Sequence, residues 1–268
     1  MLLDGSGTLS FEVLDWLGEQ GIALARVKWS GEVRVVANSR GYVGDPRRIE
    51  WQRKTRANDA ERLAFSTDLI IRKLSGCITI LNQFVTSSRR RDTALSFHQK
   101  TIERLSSGQI TAVNDVRGAE GQCASNYFLS WRGMQLQWTG NTAVPPNWQE
   151  YRVRSSLAKK GLNPYNRNAS HPINAMLNYG YAVQLANIQT TAIIDGYDPT
   201  IGIFHEGFRS NAAFALDMIE PERPKVEAAV LQLVSDNAFS VSDFILTRDG
   251  TCRLSPQLAR TVAAISST

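Results

Sequence analysis

Residues Asn58 to Thr86, NDAERLAFSTDLIIRKLSGCITILNQFVT, decide the fold class. Apolar side chains recur at Leu63, Leu69, Ile70, Leu74, Ile78 and Leu81, roughly one face of a helix. The spacing predicts one long amphipathic helix. Its most apolar stretch, Leu69 to Val85, is broken by Arg72 and Lys73, so it does not read as a membrane span.

The helical reading continues toward the C-terminus. Asp92 to Leu105 predicts a second helix, ending near Gly108. Ala112 to Gln137 predicts a third, which carries Val116, Glu120, Ala124, Tyr127, Phe128 and Trp131. Pro145-Pro146 marks a loop. Ser170 is placed to cap a long helix with Pro172 in its first turn, running to about Ile194 before Asp195-Gly196. A short helix from Ala212 to Glu220 stops at Pro221, and another follows Pro224.

Toward the N-terminus the pattern changes. Leu2-Leu3 leads into an Asp4-Gly5-Ser6-Gly7 turn. Ser10 is placed to cap a short helix whose apolar face is Val13, Leu14, Trp16 and Leu17, ended by Gly21. Ile22 to Val27 and Val33 to Val36 alternate like two strands around a Ser30-Gly31 turn. The polar stretch Asn38 to Pro46 reads as a linker. The fold class predicted is segregated α+β: a small β-rich domain over 1–45, then a larger all-α catalytic domain over 46–268. The first domain buries too little to be stable alone. It must dock, dimerise or lack a leading piece.

The chain has 268 residues, 43% of them hydrophobic, enough for a substantial core. Lys and Arg number 30 against 25 Asp and Glu, and the pI is about 9.2, compatible with a polyanionic partner without demanding one. Cys77, Cys123 and Cys252 are far apart and odd in number, with no CxxC pair. This points away from a zinc knuckle or a disulfide framework and fits a reducing cytoplasm. The N-terminus has no cationic segment followed by a long apolar run, so it does not read as a signal peptide.

Three segments carry candidate chemistry. His205 lies between Gly202 and Gly207, at a loop edge just before a helix; the plain alternative is a structural histidine. Asp217 and Glu220 are three apart and share a helical face beside Leu216 and Ile219. Two carboxylates there need a cation, which is either Arg223 or a metal ion. Glu120 sits among Gly118, Ala119 and Gly121, residues that allow a close backbone approach or leave room for a substrate; the plain alternative is a solvated glutamate. One imidazole and up to three carboxylates suit Mg²⁺ or Mn²⁺ better than zinc. Basic clusters that could grip DNA are Arg47, Arg48, Arg53, Lys54 and Arg56, the run Arg89-Arg90-Arg91, then Arg152, Arg154, Lys159 and Lys160. Each reads equally as a solvated face. Trp51, Trp131 and Tyr165 are candidates for base stacking, with core packing the better reading of Trp131.

These residues also carry a resemblance. Asn174-Ala175-Met-Leu177-Asn-Tyr179-Gly-Tyr181-Ala182, then Gly196-Tyr-Asp198-Pro199-Thr-Ile-Gly202-Ile-Phe-His205, then Leu216-Asp217-Met-Ile-Glu220-Pro221-Glu-Arg223-Pro224, resemble successive motifs of the CRISPR-associated Cas-one integrases. Upstream, Gly118-Ala-Glu120-Gly-Gln-Cys-Ala124-Ser-Asn-Tyr127-Phe128 is similar to a fourth, and Leu3 to Ile22 looks like the start of the family's amino-terminal domain. The resemblance implies a metal-dependent endonuclease and integrase. It inserts short DNA fragments into a CRISPR array by 3′-hydroxyl attack on a phosphodiester. It implies that Glu120, His205 and Glu220 are catalytic metal ligands, with Asp217 auxiliary. DNA contacts would include Arg53, Lys54, Arg56, Arg89, Arg90, Arg91, Arg152, Arg154 and Arg223. The partners implied are double-stranded DNA, a second copy of the chain in a homodimer, and a small ferredoxin-like protein; a membrane is not among them. The family's amino-terminal domain is usually a fuller β-sandwich, so its leading strands are expected to be absent here. Two other readings stay open: a stand-alone mobile-element integrase or branched-DNA nuclease, and a DNA-binding protein that has lost catalysis.

Overall fold

The computed structural model describes residues 1–4, 6–22, 24–27, 33–37, 44–154, 169–205 and 212–266. Gly5, the Ser30-Gly31 turn, linker residues 38–43, Lys159, Lys160, Tyr165 and Gly207 lie outside the described residues. The protein is mainly helical, with few and short strands. It forms two compact units that do not follow chain order: Met1–Leu69 with Ala182–Glu220, and Ile70–Tyr181 with Pro221–Thr268. Among the described residues no helix is long and apolar enough to cross a membrane.

The first unit opens with β1 (Leu2–Asp4), α1 (Phe11–Glu19), β2 (Leu24–Val27) and β3 (Val33–Ala37). β1 pairs parallel to β2, Leu2 opposite Ala25, and β2 pairs antiparallel to β3, Leu24 opposite Ala37. A parallel pair needs a crossover, and α1 lies within it. Gly21 ends α1 at φ +65°, a conformation that suits glycine. Of the apolar face expected on α1, Leu17 is buried, while Val13 and Trp16 are 37% and 54% exposed, beside Phe11 at 81%. Next comes α2 (Pro46–Ala57), begun by Asp45, whose side chain accepts from the Arg47 amide at 2.9 Å. The unit also holds the start of α3 (Asp59–Phe84), the end of α6 (Pro172–Ile194) and α7 (Ala213–Ile219). Trp51 meets Phe65, Tyr197 and Phe214 edge-on. Phe214, Ile203 and Ala192 are buried beneath this cluster.

The second unit contains most of α3, then α4 (Arg89–Ser106), α5 (Val113–Ser130), β4 (Gln137–Thr139), the start of α6, α8 (Arg223–Asp236), β5 (Ala238–Ser240), β6 (Phe244–Leu246), β7 (Cys252–Leu254) and α9 (Pro256–Ser266). Leu74, Ile80 and Leu81 from α3 are buried, as are Val116, Tyr127, Trp131, Ile173, Met176 and Val230. Two helical glycines let backbones close up. A Cβ on Gly76 would lie 2.7 Å from Pro224 Cβ, and one on Gly180 would lie 2.7 Å from both Val226 and Ser266. The three cysteines are free and buried, and burial pushes the Cys252 thiol up to about 12.

Three expectations need correction. The region after residue 46 is not all-α: β4 pairs parallel to β5, and β6 pairs antiparallel to β7. The third helix ends at Ser130 rather than Gln137. Gly133 follows at φ +100°, which breaks the helix, and Trp138 stacks on Trp148 at 6.1 Å with Phe244 against both. Aromatic packing on a pleated surface outweighs helical spacing there. Finally, α6 is capped by His171 rather than Ser170: its Nδ1 accepts the Ile173 amide at 3.2 Å, while the Ser170 carbonyl takes Asn147 Nδ2 and Trp148 Nε1.

Candidate active site

In the first unit the chain leaves α6 through Gly196, at φ +84°, and enters a tight segment from Asp198 to His205. Buried Gln52 fixes its start: Nε2 donates to the carbonyls of Asp198 at 2.9 Å and Ile201 at 3.0 Å, and Oε1 accepts the Asp198 amide at 2.9 Å. Arg62 Nε holds the Ile203 carbonyl at 2.8 Å. A Cβ on Gly202 would collide with the His205 carbonyl and lie 2.8 Å from Ala213 Cβ, so only glycine fits the fold-back.

Asp217, on α7, is fully buried and closes this turn. Its Oδ2 accepts the amides of Ile203 at 2.5 Å and Phe204 at 3.0 Å; its Oδ1 accepts the His205 amide at 2.7 Å and meets His205 Nδ1 at 2.8 Å. An ionised carboxylate only accepts, so Nδ1 donates in this contact, and in the neutral form of the ring Nε2 presents a lone pair. The His205 side chain is 37% exposed. Asp217 is thus surrounded by three backbone amides and this imidazole. Glu220 follows in a 3-10 turn, Glu220–Glu222, and is 5% exposed.

In the second unit Glu120 lies mid-way along α5. Lys73 Nζ, from α3, sits 2.5 Å from its Oε1, with the two side chains 12% and 22% exposed. A Cβ on Gly118 or Gly121 would meet nothing within 4 Å, so these glycines leave open space rather than admit a packed backbone. Nearby His98 is buried, and burial holds its ring below the usual range. Among the described residues of the whole chain, no three His, Cys, Asp or Glu side chains form a ready cluster for a metal ion.

Glu227 is a buried carboxylate that lies outside the four motifs. It accepts from Tyr127 at 2.7 Å and from Tyr181, and burial together with its charge raises both phenols well above their ordinary range. Arg223 and Arg154 lie over the Tyr181 ring at 4.9 and 5.7 Å, and Arg154 Nη2 donates to Asn178 at 2.7 Å. The one signal for Glu227 in the sequence is its position on the α8 face that also holds Val230 and Leu231, both buried.

The basic residues divide by role. Arg53 and Arg56 line an open groove with Asp198 and Thr200, whereas Lys54 pairs with Glu50 at 2.8 Å. Arg89 and Arg90 line another groove with Asn126 and Arg132, the last a residue outside the basic clusters of the sequence. Arg91 turns inward, donating to the Leu81 carbonyl at 2.9 Å and Asn82 at 3.0 Å. Arg152 is exposed. Trp131 is fully buried and Trp51 is 41% exposed.

A family model described as CRISPR associated protein Cas1 matches residues 1–266. A Cas4 exonuclease/Cas1 endonuclease fusion of Rhodospirillum rubrum is 29% identical over 209 residues, covering 77% of this chain and 33% of that protein. This chain spans 33% to 59% of the length of the first curated relatives it matches. Among solved structures, a Cas6-RT-Cas1–Cas2 complex aligns with a TM-score of 0.72 at 19% identity, over 99% of this chain and 27% of that one. A casposase bound to its integration product aligns at 0.62 with 22% identity, over 99% and 72%. At these identities the likeness shows the fold.

Proposed function

The chain belongs to the Cas1 family of CRISPR-associated proteins, and from that premise we propose that it cuts and joins DNA with a divalent metal, inserting short fragments into a CRISPR array. The observation that carries the reading is the Asp217 clamp on His205, which fixes the imidazole tautomer and leaves Nε2 free to bind a cation. In donor chemistry the residues fit Mg²⁺ or Mn²⁺: two carboxylates, Glu120 and Glu220, and one neutral imidazole, His205, with Asp217 as the group that orients the ring.

When bound, the ion positions the 3′-hydroxyl and screens charge on the phosphate. The chain's own residues do the rest. Asp217 keeps the His205 ring aimed. Glu120 and Glu220 supply negative charge to retain the cation. Arg53, Arg56, Arg89, Arg90, Arg152, Arg154 and Arg223 neutralise DNA phosphates, and no side-chain nucleophile is needed. The partners proposed are double-stranded DNA, a small ferredoxin-like protein, and a second copy of the chain. Cas2 is named in one neighbouring complex. Exposed Leu9, Phe11, Val13 and Trp16 offer apolar surface for the second copy.

The test is strand transfer of a short duplex into supercoiled plasmid in Mn²⁺. Wild-type protein gives joined product and Glu120→Ala gives none; product from both would remove Glu120 from the chemistry. The casposase likeness supports a second reading, a stand-alone integrase, which differs in being active without the small partner protein.

A further inference from the structure

We infer that Lys73 is a built-in rival of the metal: its ammonium holds the cation position beside Glu120 and must leave before a divalent ion binds there. This rests on the reading of Glu120 as a ligand. The ion pair is short, 2.5 Å, and both side chains are largely withdrawn from water. Charge interactions are stronger in such a place than at the surface. An ammonium and a divalent cation within a few ångströms of one carboxylate repel each other, so the two occupancies oppose one another.

The arrangement explains how Glu120 can be kept largely buried without a metal. An unpaired carboxylate there would be costly, and Lys73 removes that cost. Lysine suits exchange. Its charge rides on a flexible four-carbon stem, whereas the Asp217 clamp is made of backbone amides that stay where the turn puts them. The metal-free protein is therefore stabilised by Lys73, and the loaded protein is held back by it.

The test measures Mn²⁺ affinity of the full-length chain, reading free aqueous Mn²⁺ by electron paramagnetic resonance. Lys73→Met, with Lys73→Gln as the polar variant in case the first does not fold, is expected to tighten Mn²⁺ binding roughly tenfold or more. Lys73→Arg keeps the charge and is expected to stay near wild type. Lys100→Met, which removes an exposed charge from α4, controls for general electrostatics and should change affinity little. Glu120→Gln separates the two claims. If it weakens Mn²⁺ binding while the Lys73 variants match wild type, the rivalry is wrong and the ligand reading stands. If Glu120→Gln leaves Mn²⁺ affinity unchanged, the ligand reading falls and the rivalry with it.

Discussion

Asp217 and Glu120 are both withdrawn carboxylates, and their partners differ in kind. Asp217, in the first unit, is gripped by three backbone amides and an imidazole. Glu120, in the second, is met by one ammonium on a long, flexible side chain. Backbone donors cannot withdraw without unmaking the turn, so Asp217 is committed to shaping residues 203–205. A lysine can swing away, so Glu120 stays available. Withdrawal from water alone does not mark a ligand; what matters is whether the partner can be exchanged.

The largest expected effects test that division directly. Glu120→Ala, His205→Ala and Glu220→Ala should reduce strand transfer to background in Mn²⁺ while DNA binding persists. Asp217→Asn should lose only ~10–100-fold, as for groups that orient a ligand. If Glu220→Ala keeps near-normal activity and Asp217 variants are dead, the roles are reversed. Stability should run the other way. Asp217→Ala orphans two buried amides and a half-buried one and should cost about 2 kcal/mol or more by chemical denaturation, since each unsatisfied buried donor costs roughly 1–3 kcal/mol. Glu120→Gln should cost less; equal losses would erase the contrast.

The histidines extend the comparison. His205 faces a carboxylate, whereas His171 caps α6 from a buried position. Burial pushes the His171 ring down from 6.5 to about 4. Between those values the unfolded chain takes up a proton that the folded chain refuses. Its contribution is therefore complete above 6.5 and is lost as pH falls toward 4. The denaturant midpoint should be lower at pH 5 than at pH 7, and His171→Asn, which can still cap the helix, should flatten that slope. A slope unchanged in the variant would place the titration elsewhere.

The smallest effect concerns charge at the surface. Replacing Arg89 and Arg90 by alanine should weaken DNA binding and lower the salt slope by about 0.9 for each phosphate no longer neutralised. Arg91→Ala should instead cost stability, because its guanidinium closes the turn between α3 and α4. Equal salt effects from all three would contradict the inward placement of Arg91.

Long helices are the most legible part of the sequence. The stripe Leu69, Ile70, Leu74, Leu81 is buried as its spacing predicts, because one periodic signal repeats over many turns. The three-residue strands β4 to β7 are not legible, since so few residues carry no period and their pairing partners lie up to a hundred positions away. At the site, residue type and motif single out Glu120, His205 and Glu220. The backbone clamp on Asp217 is hidden, because main-chain donors leave no mark in the residue alphabet. Arg91 looks like its two neighbours for the same reason: direction is a property of the helix surface, not of the letter.

The interrupted make-up of the first unit has a consequence for synthesis. Residues 1–69 cannot complete that unit until 182–220 have emerged, for Asp45 donates its amide to the Gly196 carbonyl at 2.9 Å and Gln52 anchors on Asp198 and Ile201. At ribosomal rates of ~5–20 residues per second, the first segment waits roughly 8–30 s for its complement. During that interval Phe65 and the aromatic face of Trp51 lack Tyr197 and Phe214. The nascent chain is then most in need of a chaperone, and a slow codon run ahead of residue 182 would prolong its exposure.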